Sequence, residues 1–124
     1  DMTTPRLLVI DDDDMVLTYL SRTLSHRYTI MTRQDPKAAI ELAAVELPDL
    51  ILCDIDMPDM DGGAVRAALA ENPVTARIPF VYVTAMVSPS EVVELQGFVG
   101  GRPGVAKRAS MQELIATIDS QLKA

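Results

Sequence analysis

Short apolar runs alternate with stretches of helical period along the whole chain, the pattern of βα units wound around a mostly parallel sheet. Five runs stand out: Leu7 to Ile10, Tyr28 to Met31, Leu50 to Cys53, Phe80 to Val83, and a weak fifth around Val105 and Ala106. Three of them are continuously apolar without alternation, as strands covered by helices on both faces should be, and these are predicted to lie at the centre of the sheet. The intervals carry helix signals. The first helix is predicted over about Asp14 to Ser25 and the third over about Gly63 to Glu71, where Asn72-Pro73 ends it. Asp35-Pro36 reads as an N-cap followed by proline at the first helical position, before Ala38, Ala39, Ile40 and Leu42. Ser88-Pro-Ser-Glu91 and Ser110-Met-Gln-Glu113 read as capping boxes. Gly97, Gly100, Gly101 and Gly104 predict an irregular loop before the last strand.

With 124 residues the chain suffices for one domain over 1–124 and is too short for two ordinary ones. Its hydrophobic fraction of 48% can fill a core without staples. One Cys excludes an internal disulfide and any multi-Cys metal site, and fits a reducing compartment, so a cytoplasmic location is expected. No apolar run approaches the roughly 18 residues of a membrane span, and no signal pattern opens the chain. Asp1, preceding Met2, reads as a leftover residue, and the parent protein is expected to be longer. A net charge of −7 and the absence of Lys and Arg clusters argue against direct nucleic-acid binding. The acids are unevenly spread: nine of the 18 lie in two windows, Asp11 to Asp14 and Asp49 to Asp61.

In an open parallel α/β sheet, ligands bind outside the carboxyl ends of the strands. The chain sets its unusual residues there: Asp11 and Asp12 after the first strand, Asp54 after the third, Thr84 at the end of the fourth and Lys107 after the fifth. Carboxylates that close repel one another and tend to keep their protons unless a cation lies between them. Oxygen ligands suit Mg²⁺, which commonly uses one or two carboxylates plus a phosphate. A carboxylate is also a competent nucleophile toward phosphorus, and a hydroxyl and an ammonium nearby suit the phosphoryl oxygens.

Three motifs, Leu-Leu-Val-Ile-Asp-Asp at 7–12, Asp-Leu-Ile-Leu-Cys-Asp-Ile-Asp-Met-Pro-Asp-Met-Asp-Gly at 49–62 and Val-Thr-Ala at 83–85, give the chain a resemblance to the receiver domain of two-component response regulators over essentially its full length. The middle motif is the most specific. The resemblance implies Asp54 as phosphoacceptor and as a ligand of Mg²⁺ or Mn²⁺, with Asp12 as a further direct ligand, Asp11 as a ligand through water, and Asp56 as a ligand through its backbone carbonyl. It implies that Thr84 moves toward the phosphoryl group and that Lys107 pairs with it. Asp56 and Met86 stand at the positions that, in the family, tune the lifetime of the aspartyl phosphate.

Two departures qualify that likeness. The family usually has Pro after the Lys, joined by a cis peptide, whereas Arg108 follows Lys107 here. A non-proline cis bond costs about 2.5 to 4 kcal/mol, so a trans bond is expected, with a loop free to place the ammonium differently. Three residues before the Lys the family carries a switching Tyr or Phe, and Gly104 has no ring to swing. The signal would then leave through the Thr84 loop, the Gly-rich segment or the fourth helix.

Simpler roles suit other residues. Asp13 and Asp14 read as acids capping the first helix rather than as ligands, Cys53 as a small core residue, His26 as a surface residue at a helix end, and Leu114, Ile115, Ile118 and Leu122 as a core-facing stripe. Two rival readings are weighed. Asp54-Ile-Asp56 could be the Asp-x-Asp of a haloacid dehalogenase-like phosphatase, but there the motif typically follows the first strand. A degenerate receiver acting as an interaction module without phosphoryl transfer is motivated by Gly104 and Arg108. The reading adopted is an α/β, flavodoxin-like, doubly wound, five-stranded parallel sheet in the order 2-1-3-4-5 with five helices. Its expected function is a phosphorylation switch, not a turnover enzyme, charged by a sensor histidine kinase or phosphotransfer protein and passing the signal to an output domain or protein, without membrane contact.

Overall fold

The computed structural model describes residues 4–85, 88–94, 97–99 and 101–123. The elements follow in chain order: β1 (Arg6–Ile10), α1 (Asp14–Leu24), β2 (Thr29–Arg33), α2 (Pro36–Glu46), β3 (Leu50–Cys53), α3 (Gly62–Glu71), β4 (Phe80–Thr84), α4 (Pro89–Glu94), β5 (Phe98–Val99), β6 (Arg102–Ala106) and α5 (Met111–Lys123). The strands lie in the order β2-β1-β3-β4-β6-β5, with every pairing parallel except that of β5 with β6. The continuously apolar runs form β1, β3 and β4, and each is buried along nearly its whole length, whereas β2 at one edge is only partly covered.

Burial divides the core between the two faces of the sheet. Leu7, Val9, Leu50, Leu52, Val81, Val83 and Val105 pack with α1 and with Leu114 and Ile118 of α5. Leu8, Ile10, Ile51, Cys53, Phe80 and Tyr82 pack on the other face with Ala39 and Ala43 of α2 and Val65 and Leu69 of α3. Alternate residues of one strand therefore serve opposite layers, as the pleat requires. The expected caps are present. Asp35 accepts from the Lys37 amide at 3.1 Å, with Pro36 at the start of α2. Ser88 and Glu91 exchange the two bonds of a capping box (3.2 and 2.9 Å), and Ser110 accepts from the Glu113 amide at 3.1 Å.

The sheet departs from expectation at the Gly-rich segment. Instead of an irregular loop, Phe98 and Val99 form an extra strand antiparallel to β6, with Val99 opposite Arg102 and Phe98 opposite Pro103. The last parallel strand is also longer than predicted, beginning at Arg102. A two-residue strand is too short to show as an apolar run, and its pairing depends on close approach. A Cβ on Gly104 would lie 2.5 Å from Cγ2 and 2.7 Å from Cβ of Val99. The absence of a side chain at 104 therefore lets Val99 settle against β6, in the space a ring at that position would need.

Gly62 has a second such role. A Cβ there would lie 2.3 Å from the backbone oxygen of Asp54 and 2.9 Å from Cα of Ile55. The start of α3 is thus pressed onto the turn after β3 and tied to it by the Gly62 amide on the Ile55 carbonyl at 2.8 Å. The obstructing atoms are backbone and cannot rotate aside. Gly62→Ala should lower stability by about 1–3 kcal/mol, the usual cost of overpacking. In chemical denaturation this would appear as an earlier midpoint with an unchanged slope, and in amide spectra as shifts at Asp54 and Ile55.

At the opposite end of the sheet, the Tyr28 hydroxyl donates to Oδ1 of Asp119 and the Arg27 guanidinium to Oδ2, both at 2.6 Å, latching the start of β2 to α5. Burial, and then the carboxylate beside it, push the Tyr28 phenol up to about 12. Partial burial works to raise the Asp119 carboxyl, but the bonds from Tyr28 and Arg27 outweigh it and hold the group below the ordinary range. The raised phenol adds stability that is complete below its unfolded value near 10 and lost as pH climbs through about 12. The lowered carboxyl adds stability present above its unfolded value and lost as pH falls through the folded one. Tyr28→Phe should cost about 1 kcal/mol at neutral pH, and the variant should lack the alkaline loss between pH 10 and about 12 in a melting series.

Candidate functional site

Parallel register brings the site together. Ile10 pairs with Cys53, so the next residues, Asp11 and Asp54, leave adjacent strands at the same rim. Val83 pairs with Val105 and Thr84 with Ala106, which sets Lys107 just past the end of β4. The Asp54 amide bonds the Ile10 carbonyl at 2.9 Å, and the Lys107 amide the Thr84 carbonyl at 2.8 Å. Residues scattered over the chain therefore meet without any loop folding back over the sheet.

Asp11, Asp12 and Asp54 each offer a carboxylate oxygen, and these oxygens lie within 4.8 Å of one another. Asp11 and Asp54 are buried, at 3% and 4% exposure, and Asp12 faces solvent. The Lys107 ammonium sits between the two buried acids, 2.9 Å from Oδ2 of Asp11 and 3.3 Å from Oδ2 of Asp54. There are no cis peptide bonds among the described residues, so the Lys107–Arg108 bond is trans as expected. The loop nonetheless delivers the ammonium to the carboxylates.

One ammonium does not balance three carboxylates. Unit charges 4 Å apart interact by about 4 kcal/mol at an effective dielectric of 20. Burial first, and then the charge of Asp11, raise the Asp54 carboxyl above its usual range, with Lys107 only partly opposing them. Burial acts to lower the Lys107 ammonium, but two flanking carboxylates more than reverse that and hold it above its ordinary value. The lysine is firmly charged while the acids remain short of positive charge, a deficit that a divalent cation could make up. The all-oxygen donor set fits a hard ion.

An open cavity of about 360 Å³ leads to these groups, lined by Asp12, Asp13, Asp54, Asp56, Thr84 and Lys107. Of the predicted residues, Asp54, Asp12, Thr84, Lys107 and Asp56 thus face one space, and Asp11 is buried beside it under Lys107. Thr84 is fully buried and Asp56 is exposed. Met86 lies outside the described residues.

Two residues do more than the sequence suggested. Asp13 caps α1, accepting from the Met15 amide at 2.9 Å, as expected. Its own amide also donates to Oδ1 of Asp11 at 2.9 Å, so the acid after the pair fixes the orientation of the first. A run of four acids gave no means of separating these roles. Gly62, noted only as part of a motif, shapes the turn that carries Asp54 and Asp56. Cys53 is a core residue whose thiol is pushed up by burial and then by Asp54, which keeps it protonated and inert. His26 is exposed.

The comparisons identify the family. The family model for the response regulator receiver domain matches residues 7–119. The response regulator PleD of Caulobacter vibrioides is 37% identical over 97 residues, which cover 77% of this chain and 21% of PleD. The response regulator MprA of Mycolicibacterium vanbaalenii is 33% identical over 120 residues, covering 95% of this chain and 50% of MprA. The chain thus spans half or less of the length of these curated relatives. Among solved structures, a response regulator from Desulfuromonas acetoxidans superimposes with a TM-score of 0.77 at 26% identity, covering 95% of this chain and 96% of that one. The Vibrio cholerae chemotaxis protein CheY4, at 24% identity, shares the fold with a TM-score of 0.80 over 96% of this chain and 99% of its own. With the match running through the three acids, Thr84 and Lys107, the chain belongs to the response regulator receiver domain family.

Proposed function

We propose that this receiver accepts a phosphoryl group on Asp54 from a sensor histidine kinase or phosphotransfer protein and acts as a two-state switch, not as a turnover enzyme. The observation that carries the reading is the buried Asp54 carboxylate, flanked by Asp11, Asp12 and Lys107 at the floor of an open cavity. A carboxylate oxygen of Asp54 attacks phosphorus as the P–N bond to a donor imidazole breaks, and the electron pair of that bond leaves with the imidazole nitrogen. Asp12 directly, Asp11 through water and the Asp56 backbone carbonyl would hold Mg²⁺ or Mn²⁺, which when bound screens the carboxylates and the incoming phosphoryl oxygens. Lys107 is already charged and within reach, so it can pass from the carboxylates to a phosphoryl oxygen without taking up a proton. Thr84 lines the same cavity and would offer its hydroxyl to the phosphoryl group.

An apolar groove of about 260 Å³ runs from Lys107 between α1 and α5, lined by Met15, Val16, Tyr19, Leu20 and Met111 among others. Met15 and Tyr19 are 81% and 60% exposed. Such apolar surface beside the cavity suits an α-helix carrying the donor histidine. No helix among the described residues is long and apolar enough to cross a membrane. The single Cys suits the reducing cytoplasm in which we place this receiver.

Intact-protein mass after incubation with acetyl phosphate and Mg²⁺ is expected to show one phosphoryl adduct, absent in Asp54→Asn and absent when the metal is chelated. No adduct from acetyl phosphate or from an active kinase would leave an interaction module instead. Asp56 lines the cavity from the exposed side, where it can hold a hydrolytic water, so Asp56→Asn should change the adduct's decay rate. An unchanged rate would remove Asp56 from that role.

A further inference from the structure

Away from the acidic rim, Arg66 of α3 and Arg102 at the start of β6 line one crevice. Its other walls include Leu69, Ile78 and Phe80, and no acidic residue lines it among the described residues. Thr75 is also there, but its hydroxyl already donates to the Leu69 carbonyl at 2.7 Å. The Arg66 Nε is sealed from solvent and has no hydrogen-bond partner among the described residues. Arg6 holds Glu46, Arg27 holds Asp119 and Lys107 holds two acids, whereas neither Arg66 nor Arg102 pairs with an acid among the described residues.

A buried guanidinium donor without an acceptor is costly, and such groups in folded proteins are normally matched by a partner or an ion. The free space is about 30 Å³, enough for one oxygen-sized group and too little for a whole phosphate ester. We propose that the Arg66–Arg102 crevice is a carboxylate-binding site, in which one edge of an acidic side chain or small organic acid enters between the two guanidinium groups. Arginine suits this because its always-charged guanidinium donates strong charge-assisted hydrogen bonds to a carboxylate oxygen. The carboxylate has two sources, a free organic acid or an Asp or Glu of another protein surface, including a second copy of this acidic chain. Because the crevice is separate from the acidic cavity, occupation needs neither metal nor phosphorylation.

The test follows the arginine Nε–H signals of ¹⁵N-labelled protein as acetate is added at constant ionic strength, with chloride and inorganic phosphate in parallel and no divalent metal. The Arg66 signal should move along a saturating curve with acetate and not with chloride, and Arg102→Gln should weaken the response about tenfold, the loss of one charge-assisted contact. Where that variant folds poorly, Arg66→Lys, which keeps the charge and loses the fork, should abolish the acetate-specific rise in Tm. Dependence of the Arg66 signal on protein concentration without added anion would identify a second copy as the carboxylate source. An Arg66 shift no larger than those of the exposed Arg22 and Arg108, a non-saturating response, or a response to phosphate alone would overturn the proposal.

Discussion

Mutual repulsion among Asp11, Asp12 and Asp54 is the constraint on which the rest of the structure turns. Three carboxylates crowded within 4.8 Å oppose the compact state, and two of them are buried where water cannot screen them. What holds them is the sheet. β1 and β3 are central strands whose side chains fill the cores on both faces, and neither can slip by one residue without sending every side chain to the opposite core and breaking the packing of both layers. The hydrophobic register thus supplies the force that keeps like charges together, and Lys107 relieves the strain only in part. A site left short of positive charge in this way has a built-in affinity for a cation and for the ammonium, and both are needed where phosphoryl charge is to be received.

That economy also explains the local backbone. The Asp13 amide turns Asp11 toward Lys107, and the bare Gly62 lets α3 close onto the turn that bears Asp54. Neither residue reacts. Each fixes the direction of one that does, and a rim built from strand ends needs such fixing because the regular ladder stops one residue earlier.

The far side of the sheet shows a different solution to packing. Where the family resemblance led us to look for a ring on the last strand, Gly104 leaves a gap that Val99 fills from an added antiparallel strand. Bulk that would come from one side chain is supplied by a short hairpin, whose Gly97 amide reaches back to the Val92 carbonyl of α4 at 2.8 Å while its carbonyl accepts from the Gly104 amide at 2.9 Å. Helix, hairpin and last strand are thereby tied by backbone bonds.

The sequence by itself determined the class of fold, the central strands, the helix caps and the candidate rim residues. These rest on local causes: continuous apolar runs need cover on both faces, Ser and Asp side chains satisfy free amides, and acids at strand ends meet once the strands are parallel. Tertiary structure alone decided the sixth strand, the reach of Lys107 past a trans Arg108, the second role of Asp13 and the isolation of Arg66. Each of these depends on which atom comes close to which across elements distant in the chain. Val99 against Gly104 and α3 against Asp54 approach so closely that a Cβ on the glycine would lie under 3 Å from its neighbour, at positions where the sequence displays only a glycine. A missing side chain leaves no pattern to read until the neighbour that occupies its place is known.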